Sequence, residues 1–194
     1  LGNKTYSTRL LKSLIKSGPK YWFEVWSDKD IYNSTLLDQD IEAIRDYYLD
    51  RGYAKFKIVS KQVNLSPDKE DIYITLSINE GNLYKFGKTT VYGLDNFDSN
   101  VFENIITSNL YSGSVFSRSN IETAKEAIQF VLGEKGYAFP IVQLNVDLKD
   151  DSESVDIIIR VDPKKKSFVR RINIKGNTKT NDEVYRRELR QFES

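Results

Sequence analysis

Cysteine, histidine and methionine are absent from the 194 residues. Without cysteine there is no disulfide, no thiolate nucleophile and no zinc–thiolate site. Without histidine there is no imidazole metal ligand, no His-based catalytic triad and no proton shuttle with a pKa near neutrality. Without even an initiating methionine, the chain reads as a piece of a longer protein. Charge of one sign is also lacking: 29 Lys and Arg offset 28 Asp and Glu, for a net charge of +1. No global basic field exists to hold nucleic acid or an anionic membrane. No run approaches the ~20 apolar residues that a membrane-spanning helix needs, and no signal peptide is visible.

What the sequence does have is repetition. Arg51-Gly52-Tyr53-Ala54 recurs 84 positions later as Lys135-Gly136-Tyr137-Ala138. Ile72, Ile74, Leu76 and Ile78 recur 83 positions later as Val155, Ile157, Ile159 and Val161. Gly93 recurs as Gly176, and Gly2-Asn3 resembles Gly176-Asn177. Ordered matches at a near-constant offset divide the chain into three. Residues 1–82 are one copy lacking its first strand, 83–164 a whole copy, and 165–194 the opening of another.

Each copy follows the same pattern. Residues 84–92 and 168–174 are β-prone and run up to a glycine, which predicts a strand. A helix follows, with Leu10, Leu11, Leu14 and Ile15 in the first copy. Its counterparts are Phe102, Ile105, Ile106 and Leu110, and then Tyr185, Leu189 and Phe192, where Thr180 and Glu183 would form a capping box. A second helix places Leu37, Ile41, Ile44 and Tyr48 on one face, matched by Ile121, Ala124, Ile128 and Val131. Ser119 and Glu122 would cap the later one. Gly52 and Gly136 follow these helices, where a left-handed residue is often needed. Two strands close the copy: Val142, Leu144, Val146 and Leu148 alternate, Asp150-Asp151-Ser152 turn the chain, and Val155 to Val161 alternate back. Ser66-Pro67-Asp68-Lys69 is the matching turn of the first copy. The expected class is α+β, each unit β-α-α-β-β with a mixed three-stranded sheet covered by two helices.

The copies differ in two places. The offset falls from 84 to 83 between Ala54 and Val63. The apolar phase switches there as well, from Phe56 and Ile58 to Val63 and Leu65. One extra residue that switches phase predicts a β-bulge between Val59 and Gln62. The first copy also has seven extra residues near 19–33, holding Tyr21, Trp22, Phe23, Val25 and Trp26. An aromatic-rich insertion either anchors a partner or caps its own module's core or packs on the next module, and the structural reading is preferred.

Tandem β-α-α-β-β units of this length resemble POTRA domains, and the likeness extends to the residues. It rests on Tyr47-Tyr48-Leu49-Asp50-Arg51-Gly52-Tyr53-Ala54, Val63-x-Leu65-x-Pro67-Asp68-Lys69 and Ile78-x-Glu80-Gly81. Gly136-Tyr137-Ala138-x-Pro140, Phe168-Val169-Arg170-Arg171-Ile172 and Arg186-Arg187-Glu188-Leu189-Arg190-Gln191 continue it. These are similar to the third, fourth and beginning fifth POTRA domains of outer-membrane β-barrel assembly factors. The resemblance implies the periplasmic portion of an outer-membrane protein, with a C-terminal β-barrel in the full-length chain. It implies docking of accessory lipoproteins and passage of unfolded outer-membrane clients. By position, Val63 and Leu65 would meet a BamB-type lipoprotein, and Glu188 a BamD-type lipoprotein.

The chemistry of such a unit suits binding. An edge strand offers unpaired N–H and C=O groups to an incoming extended chain, largely independent of its sequence. The edges expected to serve clients are residues 55–65, with Lys55, Lys57, Val59 and Lys61, and 141–148, with Ile141, Gln143 and Asn145. The lysines also discourage aggregation. The ends suggest a further expectation: strand 168–174 of one molecule would fill the open slot of the first copy in another, giving a strand-swapped self-association.

Other classes find less support. Asp38, Asp40 and Glu42 would spread over a polar helix face. Asp150, Asp151 and Glu153 lack the twelve-residue calcium-loop pattern. Lys164-Lys165-Lys166 with Arg170 and Arg171 reads as a solvated linker. No glycine-rich phosphate loop occurs, so neither an enzyme nor a cofactor is expected, and no nucleic-acid partner. The alternatives are the POTRA region of another outer-membrane transporter, of TamA or two-partner secretion type, or a POTRA-like scaffold without a barrel.

Overall fold

The computed structural model describes residues 1–15, 33–68, 71–173, 175, 184 and 187. The aromatic insertion, Gly176, the 180–183 capping box, Glu188 and the apolar positions 185, 189 and 192 lie outside the described residues.

The first repeat contains α1 (Thr8–Leu14), α2 (Ser34–Leu49), β1 (Lys57–Leu65) and β2 (Ile72–Asn79). The second contains β3 (Lys85–Tyr92), α3 (Ser99–Asn109), α4 (Arg118–Glu134), β4 (Ile141–Lys149) and β5 (Ser154–Asp162). Its sheet has the order β3-β5-β4, with β3 parallel and β4 antiparallel to the central β5. In the first repeat β1 pairs antiparallel with β2. On the other side of β2, the Leu1 N–H donates to the Leu76 C=O (2.7 Å) and the Leu1 C=O accepts from the Ile78 N–H (2.9 Å). That is parallel pairing, the place Tyr92 takes beside Arg160 in the second repeat. The glycine that follows each is held for the same reason. A Cβ on Gly2 would stand 2.2 Å from the Ile78 oxygen, and one on Gly93 1.9 Å from the Val161 oxygen, both at φ +90°.

The helices grow from their periodicity. Leu37, Asp40, Ile44 and Tyr48 are buried along α2; Ile121, Ala124, Ile128 and Leu132 are buried along α4. The 84-residue offset holds at every one of these positions. It also corrects two expectations: Ile41 and Val131 are only half-buried, and Asp40, expected on the polar face, takes the core position of Ala124. The cap of α4 differs too. Ser117 accepts from the Asn120 N–H, while the Ser119 N–H is already committed to Asp50. Residues 168–173, expected to begin a strand, are not in a strand.

The second repeat's core gathers the inward residues of β5 (Val155, Ile157, Ile159, Val161) against Phe86, Phe102, Phe116 and the α4 line. The first repeat's core is smaller, built on Ile44, Tyr48 and Phe56, with Tyr48 stacked on Phe56 at 4.3 Å. Tyr6 meets Tyr47, Tyr48 and Tyr53 edge-on, which accounts for the tyrosine-rich run across the end of α2.

Where the repeats meet, Leu49 and Ala54 pack against the second repeat's core, and polar contacts surround them. The Gly52 C=O accepts from the Tyr84 N–H at 2.7 Å. Asp50 accepts from the Ser119 N–H (2.7 Å) and the Ser117 hydroxyl (3.3 Å) at the start of α4. Arg118 pairs with Asp46 at 2.9 Å. Lys55 and the Tyr84 hydroxyl both donate to Asp150, and these hydrogen bonds hold its carboxyl below the usual range.

Candidate functional site: an edge strand with a bulge

Among the described residues β1 and β4 each have one strand neighbour, so the outer row of backbone groups on each faces away from its sheet. β4 runs against β5 without interruption, from Ile141 opposite Asp162 to Lys149 opposite Ser154. β1 does not. Ile58 faces Ile78 and Ser60 faces Ser77, which leaves Val59 as an extra residue. The bulge thus sits at the first residue of the predicted interval.

Its effect on side chains follows from the two-residue period of a strand. Ile58 points to the core. Unbroken alternation would turn Val63 and Leu65 to the opposite face. The extra residue restores the phase, so Lys61, Val63 and Leu65 lie with Ile58, opposite Leu76, Ile74 and Ile72. Leu76 is packed against the core. Beyond it, Val63 is 39% exposed and Leu65 54%, and Ile74 and Ile72 beside them are exposed as well. The equivalent edge residues of β4, Val146 and Leu148, are exposed too. Their partners Ile157 and Val155, however, are fully buried. The first repeat therefore presents two apolar columns at the far end of its sheet, and the second repeat one.

The remaining expected edge residues divide. Lys57 begins β1 opposite Asn79, and Val59 is 62% exposed at the bulge. Lys61 donates to Asp38 of α2 at 2.8 Å, tying the strand to the helix layer. Lys55 is a correction: it precedes the strand, in a turn, and its ammonium is engaged at the junction with Asp150. On β4, Ile141, Gln143 and Asn145 lie on the outer face opposite Asp162, Arg160 and Ile158. Among the described residues no group of acidic side chains could hold a metal ion, and no helix is long and apolar enough to cross a membrane.

Sequence reasoning missed Glu80. This carboxylate is buried and accepts four kinds of donor: the Tyr48 hydroxyl (2.7 Å), the Lys4 N–H (3.0 Å), the Thr5 N–H (3.2 Å) and the Thr5 hydroxyl (2.9 Å). It ties the α1 lead-in to the end of β2 and to α2. Burial alone would raise its pKa, but the hydrogen bonds from Tyr48, Thr5 and Lys4 outweigh it and hold the carboxyl below its ordinary range. Burial, and then the bond to Glu80, push the Tyr48 phenol up. The only sequence signal was Glu80's place in the Ile78-x-Glu80-Gly81 stretch.

Comparison with known proteins completes the description. The family model for POTRA, described as a surface antigen variable number repeat, matches residues 1–81 and 84–164. The outer membrane protein assembly factor BamA of Neisseria meningitidis serogroup B is 31% identical over 197 residues, covering 100% of this chain and 24% of that protein. That of Buchnera aphidicola is 30% identical over 198 residues, covering 100% and 31%. The chain thus spans about a quarter to a third of the length of these curated relatives. Among solved structures, POTRA3-5 of Haemophilus influenzae BamA superposes with a TM-score of 0.77 at 31% identity, over 99% of this chain and 74% of that one. BamA of Haemophilus ducreyi lacking POTRA domains 1-3 gives 0.62 at 18% identity, over 87% and 28%, a likeness of fold.

Proposed function

The chain belongs to the POTRA family, and we propose that it is the periplasmic scaffold of a BamA-type outer-membrane protein assembly factor. Residues 1–82 correspond to its third POTRA module, 83–164 to the fourth and 165–194 to the start of the fifth. The observation that carries this reading is end-to-end similarity to BamA POTRA3-5, together with a bulged edge strand ending in exposed apolar columns. The scaffold works by binding, not by covalent chemistry. Val63 and Leu65 form the docking strip for a BamB-type lipoprotein, and Glu188 belongs to the contact with a BamD-type lipoprotein. Unfolded outer-membrane clients add transiently, by backbone pairing, to β1 from Lys57 through Val59 and Lys61. On β4 they pair along Ile141, Gln143 and Asn145. Main-chain pairing suits clients that share alternating strands and little else. The module string serves a C-terminal barrel in the full-length protein.

The test is calorimetric titration of the chain with the cognate BamB-type lipoprotein. Val63→Asp with Leu65→Asp should weaken binding at least about tenfold, since about 1.5–3 kcal/mol attends burial of each such side chain. The matched pair Val146→Asp with Leu148→Asp should leave binding unchanged. Equal effects of the two pairs would remove Val63 and Leu65 from the interface.

A further inference from the structure

The bond that links the first repeat to the second is made again at the far end of the second. The Gly52 C=O accepts from the Tyr84 N–H, and the Gly136 C=O accepts from the Ser167 N–H at 2.8 Å. Both glycines are left-handed, with φ +95° and +91°. The chain therefore leaves the second repeat along the same path by which it left the first. Lys166 adds a contact there, with its ammonium 5.5 Å from the Tyr137 ring centroid.

The helix equivalence extends to the surface. The 84-residue offset that carries each buried residue of α2 onto a buried residue of α4 carries Asp46 onto Phe130, Asp50 onto Glu134 and Lys55 onto Phe139. Asp46, Asp50 and Lys55 are the polar side chains with which the first repeat grips the second. At two of these three places the second repeat has phenylalanine. Phe130 is 66% exposed and Phe139 77% exposed. Single exposed apolar residues are ordinary on a protein surface. Two phenylalanines at the positions that grip the next module in the preceding repeat are not explained by chance exposure.

We infer that Phe130, Glu134 and Phe139 form the docking face for the module that residues 165–194 open, and that apolar contact from the two phenylalanines stands at this second junction where the first has the ion pairs of Asp46 and Lys55. The occupant is the following segment of the same chain, committed to this face by the Gly136–Ser167 bond. Glu134 keeps a carboxylate at the place where Asp50 caps the start of α4. The inference rests on the reading of the chain as tandem POTRA modules. It concerns how they join, independently of any lipoprotein or client.

Photo-crosslinking in the intact natural protein tests it. Benzoylphenylalanine in place of Phe130 or Phe139 should link, within one molecule, to residues C-terminal to Ser167. The same probe at Lys55 should link to the second repeat and verifies the geometry at the first junction. Links from positions 130 and 139 to a second copy or to another protein would overturn the inference, as would no link when Lys55 gives one. A second measurement uses nitroxide labels on Thr123→Cys and Val184→Cys, any other cysteine being replaced. Phe130→Asp with Phe139→Lys should broaden the distance distribution about twofold or more, and an unchanged width would equally overturn the inference. Neither readout depends on lipoprotein binding, so its failure is distinguishable from failure of the functional reading.

Discussion

Replacing Glu80 probes a buried polar centre of the first repeat. Its carboxylate is buried with the fully buried Tyr48 and receives donors from two different segments of chain. A hydrogen bond to a charged group contributes about 1.5–3 kcal/mol. Four bonds to one carboxylate are not additive, because Thr5 supplies two of them and relaxes as a unit. Glu80→Ala should therefore cost about 3–4 kcal/mol, much of it from leaving the Tyr48 hydroxyl buried without an acceptor. Tyr48→Phe alone should cost less, about 1–2 kcal/mol, and less again in the Glu80→Ala background, where the hydroxyl is already a liability. Hydrogen exchange of α2 and β2 amides is the suitable assay, since it reads the first repeat separately from the second. At 1.4 kcal/mol per decade, the loss should appear as exchange about a hundredfold or more faster through global opening of that repeat. Acceleration below about fivefold, or strict additivity of the Tyr48 and Glu80 changes, would refute the network.

The same carboxylate sets a pH dependence. Its folded pKa is depressed below the ordinary 4.5. Its contribution is therefore complete above that value and is lost as pH falls below it, through the lowered folded pKa. Glu80→Gln keeps the shape but not the titration. Its deficit against the natural chain should be constant near neutrality and shrink as pH drops below 4.5. A deficit that grows on acidification would contradict the sign.

Three further outcomes follow from packing. Gly93→Ala and Gly113→Ala share the cost of a left-handed residue, about 1–2 kcal/mol, but only Gly93 would drive its Cβ into the Val161 oxygen. Urea melts should show Gly93→Ala to be the more damaging of the two, and equal midpoints would deny the close approach. Leu132→Ala should cost about 2–5 kcal/mol as a fully buried deletion, and Val131→Ala distinctly less; a reversed order would shift the α4 face by one residue. Deletion of Val59 removes the unpaired residue and leaves Val63 opposite Ile74, so amides beyond residue 60 should keep their exchange protection within a few-fold. Loss of that protection would refute the register.

The elements themselves were legible because each advertises its period. The uninterrupted alternation of β4 and β5 gives strands and their facing residues, and the offset change between Ala54 and Val63, with the switch of apolar phase, confines the bulge to residues 59–62 without any structure. Helix faces were legible to within one residue. Ile41 and Asp40 lie 100° apart around a helix, as do Val131 and Leu132, and hydrophobicity favours the wrong member of one pair and is silent on the other. The cap of α4 was misplaced because Ser117 and Ser119 both precede the apolar line. What decides between them is Asp50, some 70 positions away. Glu80 and the Lys55–Asp150 pair escaped notice for the same reason. Their partners are set by tertiary contact, and no local pattern distinguishes a buried carboxylate from a solvated one.

Read together, the two repeats separate what folding requires from what binding selects. The buried lines of α2 and α4 match position by position, and the closing strands match in register except at Val59. The divergence falls where side chains leave the core: Asp46 against Phe130, Lys55 against Phe139, and a bulged edge against a straight one. An interior must be filled to close packing whichever neighbour the module has, so it drifts little between copies of one fold. A junction or an edge must match a particular neighbour, so its chemistry changes with place in the string. That distinction makes Val59 and the Phe130–Phe139 pair, which do nothing for the cores around them, the positions most informative about what each module touches.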